Sequence, residues 1–438
     1  MRFESKSISA ARSLFLTAGL VAGPCATALR AQTFLDTALA GETYRVQGEY
    51  AGTIGTKAYG AQVIAWGGGS FEAAMLPGGL PGAGWGKTPT DFKSIKGSTS
   101  GTNTVFSGSG FNLIIRAGGA AIEGNGPDGA VKLAKVYRES PTLNWAGPAD
   151  AVKLFDGTQA TFAANWSSGK MVEGKYLSEG SDSKKGYADH TLHLEFRPPF
   201  EPLQDNQDRG NSGVYVQGRY ECQVLDSFGW MKGSDHGGAE SWAGGIYDTR
   251  PADFNMSIPP LRWATYDIWL TNAKFNGTTK TTNARITVWF NGVKIQDDVE
   301  LPGTTPGNFE GESATGGKLA LQDHGGPMWY RNIWVVPGKF VPIPTVGVNP
   351  GAAHFFPASP QGKHGRYRLA LPGTGGASDA ESAYAGSSMQ DRIGGLGNGS
   401  EVENAASAIS YDLLGGRIGG SAGRAMSWMV IPAESARK

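Results

Sequence analysis

The sequence predicts an all-β protein whose central part is a two-sheet sandwich or jelly roll. Short segments of alternating apolar and polar residues recur along the chain, and no stretch shows a sustained 3.6-residue apolar period. Glycine accounts for 66 of the 438 residues, roughly twice its typical share of about 7%. Together with 10% aromatic residues, this composition suits short strands and tight turns better than helical bundles.

The first 31 residues predict an export signal that is removed from the mature protein. Basic residues at Arg2, Lys6 and Arg12 precede the short apolar run SLFLTAGLVAG, and small residues up to Ala31 suit cleavage. The mature protein is therefore expected in the periplasm or outside the cell. No later segment approaches about 20 apolar residues, so no transmembrane segment is expected.

Charge and cysteine content argue against several classes of protein. Basic and acidic residues balance at 39 each, which removes the electrostatic argument for nucleic acid or an anionic membrane as a partner. The two cysteines are Cys25 and Cys222, so removal of the signal would leave Cys222 alone and exclude an internal disulfide. The hydrophobic core must then stabilise the exported protein, and the oligomeric state stays open.

Changes in composition divide the mature chain into four parts. Residues 32–138 predict a small glycine-rich β domain, with strand-like pieces such as YGAQVIAW and FNLIIRAG. Residues 139–150 carry two prolines and are typical of a linker. Residues 151–340 contain the clearest strand patterns. Residues 341–438 are rich in Gly, Ser and Ala and predict a disordered, low-complexity tail.

Within residues 151–340, alternating patterns mark individual strands. In TLHLEF, Leu192, Leu194 and Phe196 share one face of the predicted strand. The segment RITVWFNGVKI predicts a hairpin, because Asn291-Gly292 is the preferred two-residue turn. TYDIWL, KLALQ and RNIWVV are further strands.

The stretch GNSGVYVQGRYECQVLDSFG predicts a strand with a polar row on one face. Tyr220, Cys222 and Val224 would face the core, and the opposite face would present Arg219, Glu221 and Gln223. This row is either the wet side of a surface strand or the lining of a site. The pair Glu221 and Gln223, about 6.6 Å apart along a strand, has the spacing of two catalytic groups. Because Gln223 is an amide, a mechanism with two carboxylates at these positions is disfavoured.

Other polar groups could converge with this row. Asp226 is a possible second acid if the chain bends after Leu225, and LQDHGG, YRNIW and HGGAESWAGGIYD offer further candidates. His190 and His193 are three residues apart on a predicted strand, so they face opposite sides and argue against a metal pair. No nucleotide-binding loop or nucleophile elbow is evident.

Six motifs occur in an order that resembles a known family: VKLFDGT, GNSGVYVQGRYECQVLDSFG, GGIYD, WATYDIWL, VWFNGVKIQD and LALQDHGGPMWYRNIWV. Together they resemble the 3-keto-disaccharide hydrolase domain family, also catalogued as DUF1080, over about residues 152–337. The resemblance implies a concanavalin A-like jelly roll that cleaves glycosidic bonds in sugars oxidised at carbon 3. No cofactor is expected, although the sequence does not exclude a divalent metal that stabilises an enolate.

A ketone at carbon 3 would explain the amide at Gln223. It acidifies the proton on carbon 2, so that one base can form an enolate that expels the group on carbon 1, after which water adds. From strand parity and motif position we assign Glu221 as the base and His324 or Asp226 as the acid. The expected sugar-binding residues are Asn211, Arg219, Gln223, Tyr247, Trp263, Gln322 and Asn332. Two alternatives remain open: a non-catalytic carbohydrate-binding protein, and a structural or adhesive surface domain.

Overall fold

The computed structural model describes residues 32–86, 91–232 and 236–345. The predicted signal peptide and residues 346–438 of the predicted tail lie outside these residues. The prediction of an all-β protein is confirmed, since the described strands form antiparallel sheets with only two short α-helices. No helix in the described ranges is long and apolar enough to cross a membrane.

The N-terminal part is a closed barrel of eight antiparallel strands. The strands are β1 Gly48–Ile54, β2 Lys57–Ala65, β3 Ser70–Pro77, β4 Lys93–Ser100, β5 Asn103–Gly108, β6 Phe111–Ile115, β7 Ala121–Gly126 and β8 Gly129–Val136. Each strand pairs with the next along the chain, and the β1–β8 pairing closes the ring. Helix α1 (Thr37–Val46) precedes the barrel, and apolar side chains such as Tyr50, Phe106 and Leu133 fill its interior.

The C-terminal part is a β-sandwich. Its strands are β9 Val152–Phe155, β10 Met171–Val172, β11 Tyr176–Ser178, β12 Ser181–Tyr187, β13 His190–Arg197, β14 Ser212–Val216, β15 Tyr220–Val224, β16 Ala264–Thr271, β17 Lys274–Asn276, β18 Thr279–Thr282, β19 Ala284–Phe290, β20 Val293–Leu301, β21 Gly317–Leu321 and β22 Trp329–Pro337. The large sheet has the order β10-β11-β22-β13-β16-β19-β20, with β9 also paired to β22. The small sheet has the order β12-β21-β14-β15, and β17 and β18 form a separate hairpin. Helix α2 spans Gln159–Asn165.

The alternating patterns of the sequence are reproduced in the sandwich core. Leu192, Leu194 and Phe196 of the large sheet pack in one cluster with Tyr220, Cys222 and Val224 of the small sheet. The predicted hairpin is also confirmed: Phe290 pairs with Val293 across a two-residue turn. Both turn residues, Asn291 and Gly292, have positive φ angles, which the tight turn requires.

The barrel packs against the sandwich at the end of β2, next to the hairpin turn between β2 and β3. Ile64 belongs to the sandwich core rather than to the barrel interior. Gly229 leaves room for it, because a Cβ at that position would lie 2.6 Å from Ile64 Cγ1. Arg209 of the sandwich donates hydrogen bonds to the Ala65 carbonyl at 3.4 Å. The two parts therefore share buried surface.

Residues 139–150, which we call the strap, lie on the outer face of the large sheet. Thr142 is fully buried and donates from Oγ1 to Asp267 Oδ2 at 2.7 Å. The Trp145 carbonyl accepts a hydrogen bond from Trp334 Nε1 at 2.9 Å. The segment predicted as a linker is thus packed against the sandwich along part of its length.

Candidate active site

Hairpin β14–β15 places the polar row on the face of the small sheet that points away from the core. Tyr215 pairs with Glu221 and Gly213 with Gln223. The three residues of the row are nevertheless buried, since Arg219, Glu221 and Gln223 are only 1–2% exposed. Neighbouring loops cover the row, so it is not a solvent-exposed face of the sheet.

Glu221 is a buried carboxylate to which no basic side chain among the described residues is paired. Its Oε2 accepts a hydrogen bond from the Tyr215 hydroxyl at 2.7 Å. Burial raises the pKa of Glu221 to about 7, and the hydrogen bond from Tyr215 opposes this rise. The carboxylate lies over Gly213, where an added Cβ would be 2.1 Å from Oε1. Glycine at this position makes room for the acid.

Two loops hold the backbone of Glu221 and border its side chain. The Glu221 amide donates to Thr305 Oγ1 at 2.9 Å, and its carbonyl accepts from the Tyr247 amide at 3.2 Å. Burial and the charge of Glu221 raise the pKa of Tyr247. Phe309 follows on the first loop, 56% exposed, with its ring edge-on to Tyr215 at 5.0 Å. Tyr247 and Phe309 thus form a half-open rim beside the acid.

A group of side-chain amides extends the site along the same face. Gln207 Oε1 accepts from Gln223 Nε2 at 3.1 Å and from Asn211 Nδ2 at 3.2 Å. Asn211 Oδ1 is buried and has no hydrogen-bond partner within the part of the chain that the structure describes. The backbone N–H of Gln322 donates to the Gly213 carbonyl at 2.8 Å, so Gln322 lies next to the residue over which the Glu221 carboxylate is placed. The structure therefore brings four predicted polar residues to this face, Asn211, Glu221, Gln223 and Gln322, with the predicted Tyr247 at its rim.

Arg219 shares the face with Glu221, but other groups occupy most of its donors. Its guanidinium donates to Ser313 Oγ at 2.7 Å, to Gln217 Oε1 at 3.0 Å and to the Thr315 carbonyl at 3.2 Å. Its Nε is buried, and none of the described residues accepts a hydrogen bond from it. These bonds tie the loop between β20 and β21 to the hairpin.

The two predicted acids lie in different surroundings. Asp226 is buried in an ion pair, accepting from Arg209 Nε at 2.8 Å. Burial raises the pKa of Asp226, and the attraction of Arg209 offsets only part of that rise. His324 is exposed on the loop after β21, two residues beyond Gln322.

Trp263 and Asn332 lie on the outer face of the large sheet, so the sandwich core separates them from Glu221. Trp263 is 3% exposed, with the Arg331 guanidinium 4.2 Å from its ring centre and Tyr176 packed at 5.0 Å. Asn332 donates from Nδ2 to Glu195 Oε1 at 2.8 Å. Both side chains are thus engaged in contacts away from the candidate site.

Asn332 belongs to a second buried polar cluster, built on His193. His193 Nδ1 lies 2.7 Å from Asp267 Oδ1, and Arg331 Nε donates to Glu195 Oε2 at 2.7 Å. Burial alone would lower the pKa of His193, but the carboxylates of Asp267 and Glu195 outweigh it and raise the pKa to about 9. Burial would raise the pKa of Glu195, but His193 and Arg331 lower it. The cluster is paired throughout and covered by the strap.

Sequence reasoning missed Tyr215, Gln207 and Phe309. Tyr215 could have been found by counting outward from the hairpin loop around Gly218, because the pair next to the loop, Val216 and Tyr220, fixes Tyr215 opposite Glu221. Gln207 and Phe309 lie on loops whose positions carry no periodic signal. Among the residues that the structure describes, no three or more His, Cys, Asp or Glu side chains are grouped as metal ligands.

Residues 150–336 match the model of a family described as a 3-keto-alpha-glucoside-1,2-lyase-like domain. This match confirms the family resemblance of that part of the chain. No curated protein matches the chain.

Two crystal structures from Parabacteroides distasonis, each described as a "putative glycosyl hydrolase", are similar to parts of the chain. The structure at 2.13 Å resolution is 28% identical with a TM-score of 0.38, and the match covers 44% of this chain and 85% of the other. The structure at 1.70 Å is 20% identical with a TM-score of 0.31, covering 42% and 92%.

Proposed function

From the match of residues 150–336 to the 3-keto-alpha-glucoside-1,2-lyase-like family, we propose that the protein cleaves glycosidic bonds of 3-keto-glycosides or 3-keto-disaccharides. The reaction is removal of the C2 proton, elimination of the group on C1 and addition of water to the resulting enone. The observation that carries this proposal is the state of Glu221: a buried carboxylate with a pKa raised to about 7, beside an amide rather than a second carboxylate.

Glu221 is the proposed base. A base is most effective when its pKa lies near the working pH, and burial brings the pKa of Glu221 to that range. Gln223 cannot serve as a nucleophile or an acid, which disfavours a two-carboxylate displacement. Elimination from a keto sugar does not need that second carboxylate. Once Glu221 has taken the C2 proton, its neutral form suits the buried position.

The side-chain amides are the proposed binding groups for sugar hydroxyls and for the enolate oxygen. Gln223, Asn211 and Gln322 share the outward face with Glu221, and Asn211 Oδ1, to which no described residue donates, offers an acceptor. Donors directed at the developing charge lower the barrier because they are already oriented. Arg219 acts on the same face by holding the covering loop.

The leaving oxygen needs a proton, and we propose Tyr247 or His324 as its source. The Tyr247 backbone is bonded to Glu221, and its side chain is half-buried, while His324 is exposed near Gln322. Asp226 is the weaker candidate, because Arg209 occupies it. Phe309 would present its exposed ring to an apolar face of the sugar. Trp263 and Asn332 would act on sugar only through a site on the large sheet.

The proposal also includes the finer assignments for this chain. The sandwich is a jelly roll of the concanavalin A-like type, and the protein is exported to the periplasm or beyond, where it meets its carbohydrate. The barrel is a companion of the sandwich that packs against it through Ile64.

The test is a panel of 3-keto-glycosides, such as 3-keto-trehalose and 3-keto-lactose, with the matching unoxidised sugars as controls. We expect release of the C1 group from the keto sugars alone. Deuterium at C2 should slow the reaction where proton removal limits the rate, and solvent deuterium should appear at C2 of the unreacted keto sugar where proton removal is reversible. Parallel reactions with a chelator test for a metal requirement.

Three results would contradict the proposal. Equal cleavage of unoxidised glycosides would indicate ordinary glycoside hydrolysis. Binding of glycans without any turnover would indicate a lectin-like protein. Full activity of the Glu221→Gln variant on a keto sugar would remove Glu221 as the base.

A further inference from the structure

The Tyr215 hydroxyl is placed between two acceptors. It lies 2.7 Å from Glu221 Oε2 and 2.8 Å from the carbonyl oxygen of Pro306. The side chain is 1% exposed, so water does not compete freely for these contacts. Gly307 allows the approach: its φ is +73°, and a Cβ there would lie 2.6 Å from the hydroxyl oxygen.

One hydroxyl proton cannot fully satisfy both acceptors at once. When Glu221 is ionised, the Tyr215 proton is attracted to the carboxylate, because a charged acceptor forms the stronger hydrogen bond. When Glu221 is protonated, the carboxyl proton can point to the Tyr215 oxygen, and the tyrosine can then donate to Pro306. Glu221 Oε2 and the Tyr215 hydroxyl therefore remain hydrogen-bonded to each other in either protonation state of Glu221, and the Pro306 carbonyl accepts the tyrosine proton when Glu221 is protonated.

We propose that Tyr215 is a positioning residue that holds the Glu221 carboxyl in both of its protonation states, by turning its hydroxyl proton between Glu221 and the Pro306 carbonyl. This inference rests on the proposed role of Glu221 as the base. During the reaction the carboxylate takes the C2 proton. The Tyr215 hydroxyl then rotates to donate its own proton to the Pro306 carbonyl, and no heavy atom has to move. The base thus changes charge inside a buried site without leaving a polar atom unpaired.

The test is the Tyr215→Phe variant, which removes the hydroxyl and keeps the ring beside Phe309. Loss of the bond to the ionised carboxylate should raise the pKa of Glu221, since bonds to charged groups are stronger than those to neutral ones. We expect the titration midpoint of Glu221 to move up by roughly one pH unit. It is measured by ¹³C NMR of protein labelled at the glutamate carboxyl carbons, with Glu221→Gln assigning the signal.

Tyr220→Phe is the matched control. Tyr220 directly precedes Glu221 on β15 and faces the opposite side of the sheet, and its hydroxyl donates to Glu312 Oε1 at 2.7 Å rather than to Glu221. The control loses a buried hydroxyl of the same kind, so it reproduces a general loss of stability. It should leave the Glu221 titration and the acid limb of the kcat/KM profile unchanged.

The outcomes separate this inference from the proposed function, because the NMR titration needs no turnover. An unchanged or lowered midpoint in Tyr215→Phe would overturn the inference even if keto sugars are cleaved. A raised midpoint together with an acid limb raised by the same amount would support both. A raised midpoint with no cleavage of any keto sugar would support the hydrogen-bond role of Tyr215 and overturn the role of Glu221 as the base.

Discussion

Two polar rows in this molecule have the same pattern in the sequence and opposite electrostatic surroundings in the structure. On the small sheet, Glu221 alternates with core residues and points away from the core. On the large sheet, His193 and Glu195 do the same. All three residues are at most 1% exposed. Burial alone therefore does not distinguish a site from a structural cluster.

The partners of each carboxylate make the difference. Glu195 is bonded to Arg331 and lies near protonated His193, so its pKa is lowered. Glu221 has a tyrosine as its hydrogen-bonding partner, so burial raises its pKa. A buried acid with counter-charges is fixed in one state, whereas a buried acid with a neutral partner can exchange a proton near pH 7. The contrast explains why we place catalysis on the small sheet.

The largest expected effect is a loss of activity when Glu221 is replaced and not when Glu195 is replaced. Glu221→Gln should lower kcat/KM on a 3-keto-glycoside by about 10²–10⁴-fold, the usual contribution of a general base. Glu195→Gln should keep most of the activity of its folded fraction, because it changes a paired cluster on the other sheet. Steady-state kinetics on both variants test this. Equal losses of kcat/KM would contradict a catalytic role for Glu221 that Glu195 does not share.

The next effect is on stability. His193→Phe keeps a ring on Trp334, which stacks on His193 at 5.1 Å, but leaves Asp267 and Glu195 without the imidazolium. Unpairing buried charges should lower the free energy of unfolding by about 3–5 kcal/mol.

His190→Phe on the same strand is the control for this experiment, and urea denaturation is the measurement. His190 is buried with its pKa lowered to about 4, so it is neutral near pH 7 and leaves no unpaired charge when replaced. Equal destabilisation by the two variants would argue against a charged His193 cluster.

The two clusters should also titrate separately. The folded pKa of His193, about 9, is above its unfolded value of about 6.5. Its contribution to stability is therefore fully present below pH 6.5 and is lost as the pH rises through 9, a change of roughly 3 kcal/mol.

Activity should change in the opposite direction, rising with pH through an acid limb near 7 as Glu221 ionises. Unfolding free energies and kcat/KM over pH 5–10 check both trends. The alkaline loss of stability should be absent in His193→Phe, and its persistence there would assign the loss to another group.

The smallest expected effect concerns an exposed ring. Phe309→Ala should raise KM by about 2–10-fold and change kcat little, since one aromatic contact contributes about 0.5–1.5 kcal/mol. Phe340→Ala is the matched control, because Phe340 is also exposed but packs against Trp269 and Trp289 of the large sheet. An equal change in KM for both variants would remove Phe309 from the site.

Local patterns made part of this structure predictable. The two-residue period placed Cys222 in the core and Glu221 opposite it, and the Asn291-Gly292 turn defined a hairpin. Closure of the barrel was not predictable, because it depends on Glu49 pairing with Val136, far along the chain. Pairings of such sequence separation leave no local signal.

The candidate site divides in the same way. Parity found the outward position of Glu221, but its neutral surroundings depend on Thr305 and Pro306, which are more than 80 residues away. Motif order placed Trp263 and Asn332 in the family pattern without showing that they lie on the other sheet. Strand parity specifies a face of a sheet, and only the assembled fold specifies what covers that face.

The insertion of Ile64 into the sandwich core bears on how this protein can be inherited and recombined. The segment that matches the family begins at residue 150, after both the barrel and most of the strap. A gene encoding that segment alone would produce a sandwich with an unfilled position beside Gly229 and an uncovered Asp267. Ile64 and the residues around Gly229 therefore pack as one unit, so a recombination breakpoint between the barrel and the sandwich would separate side chains that fill each other's space.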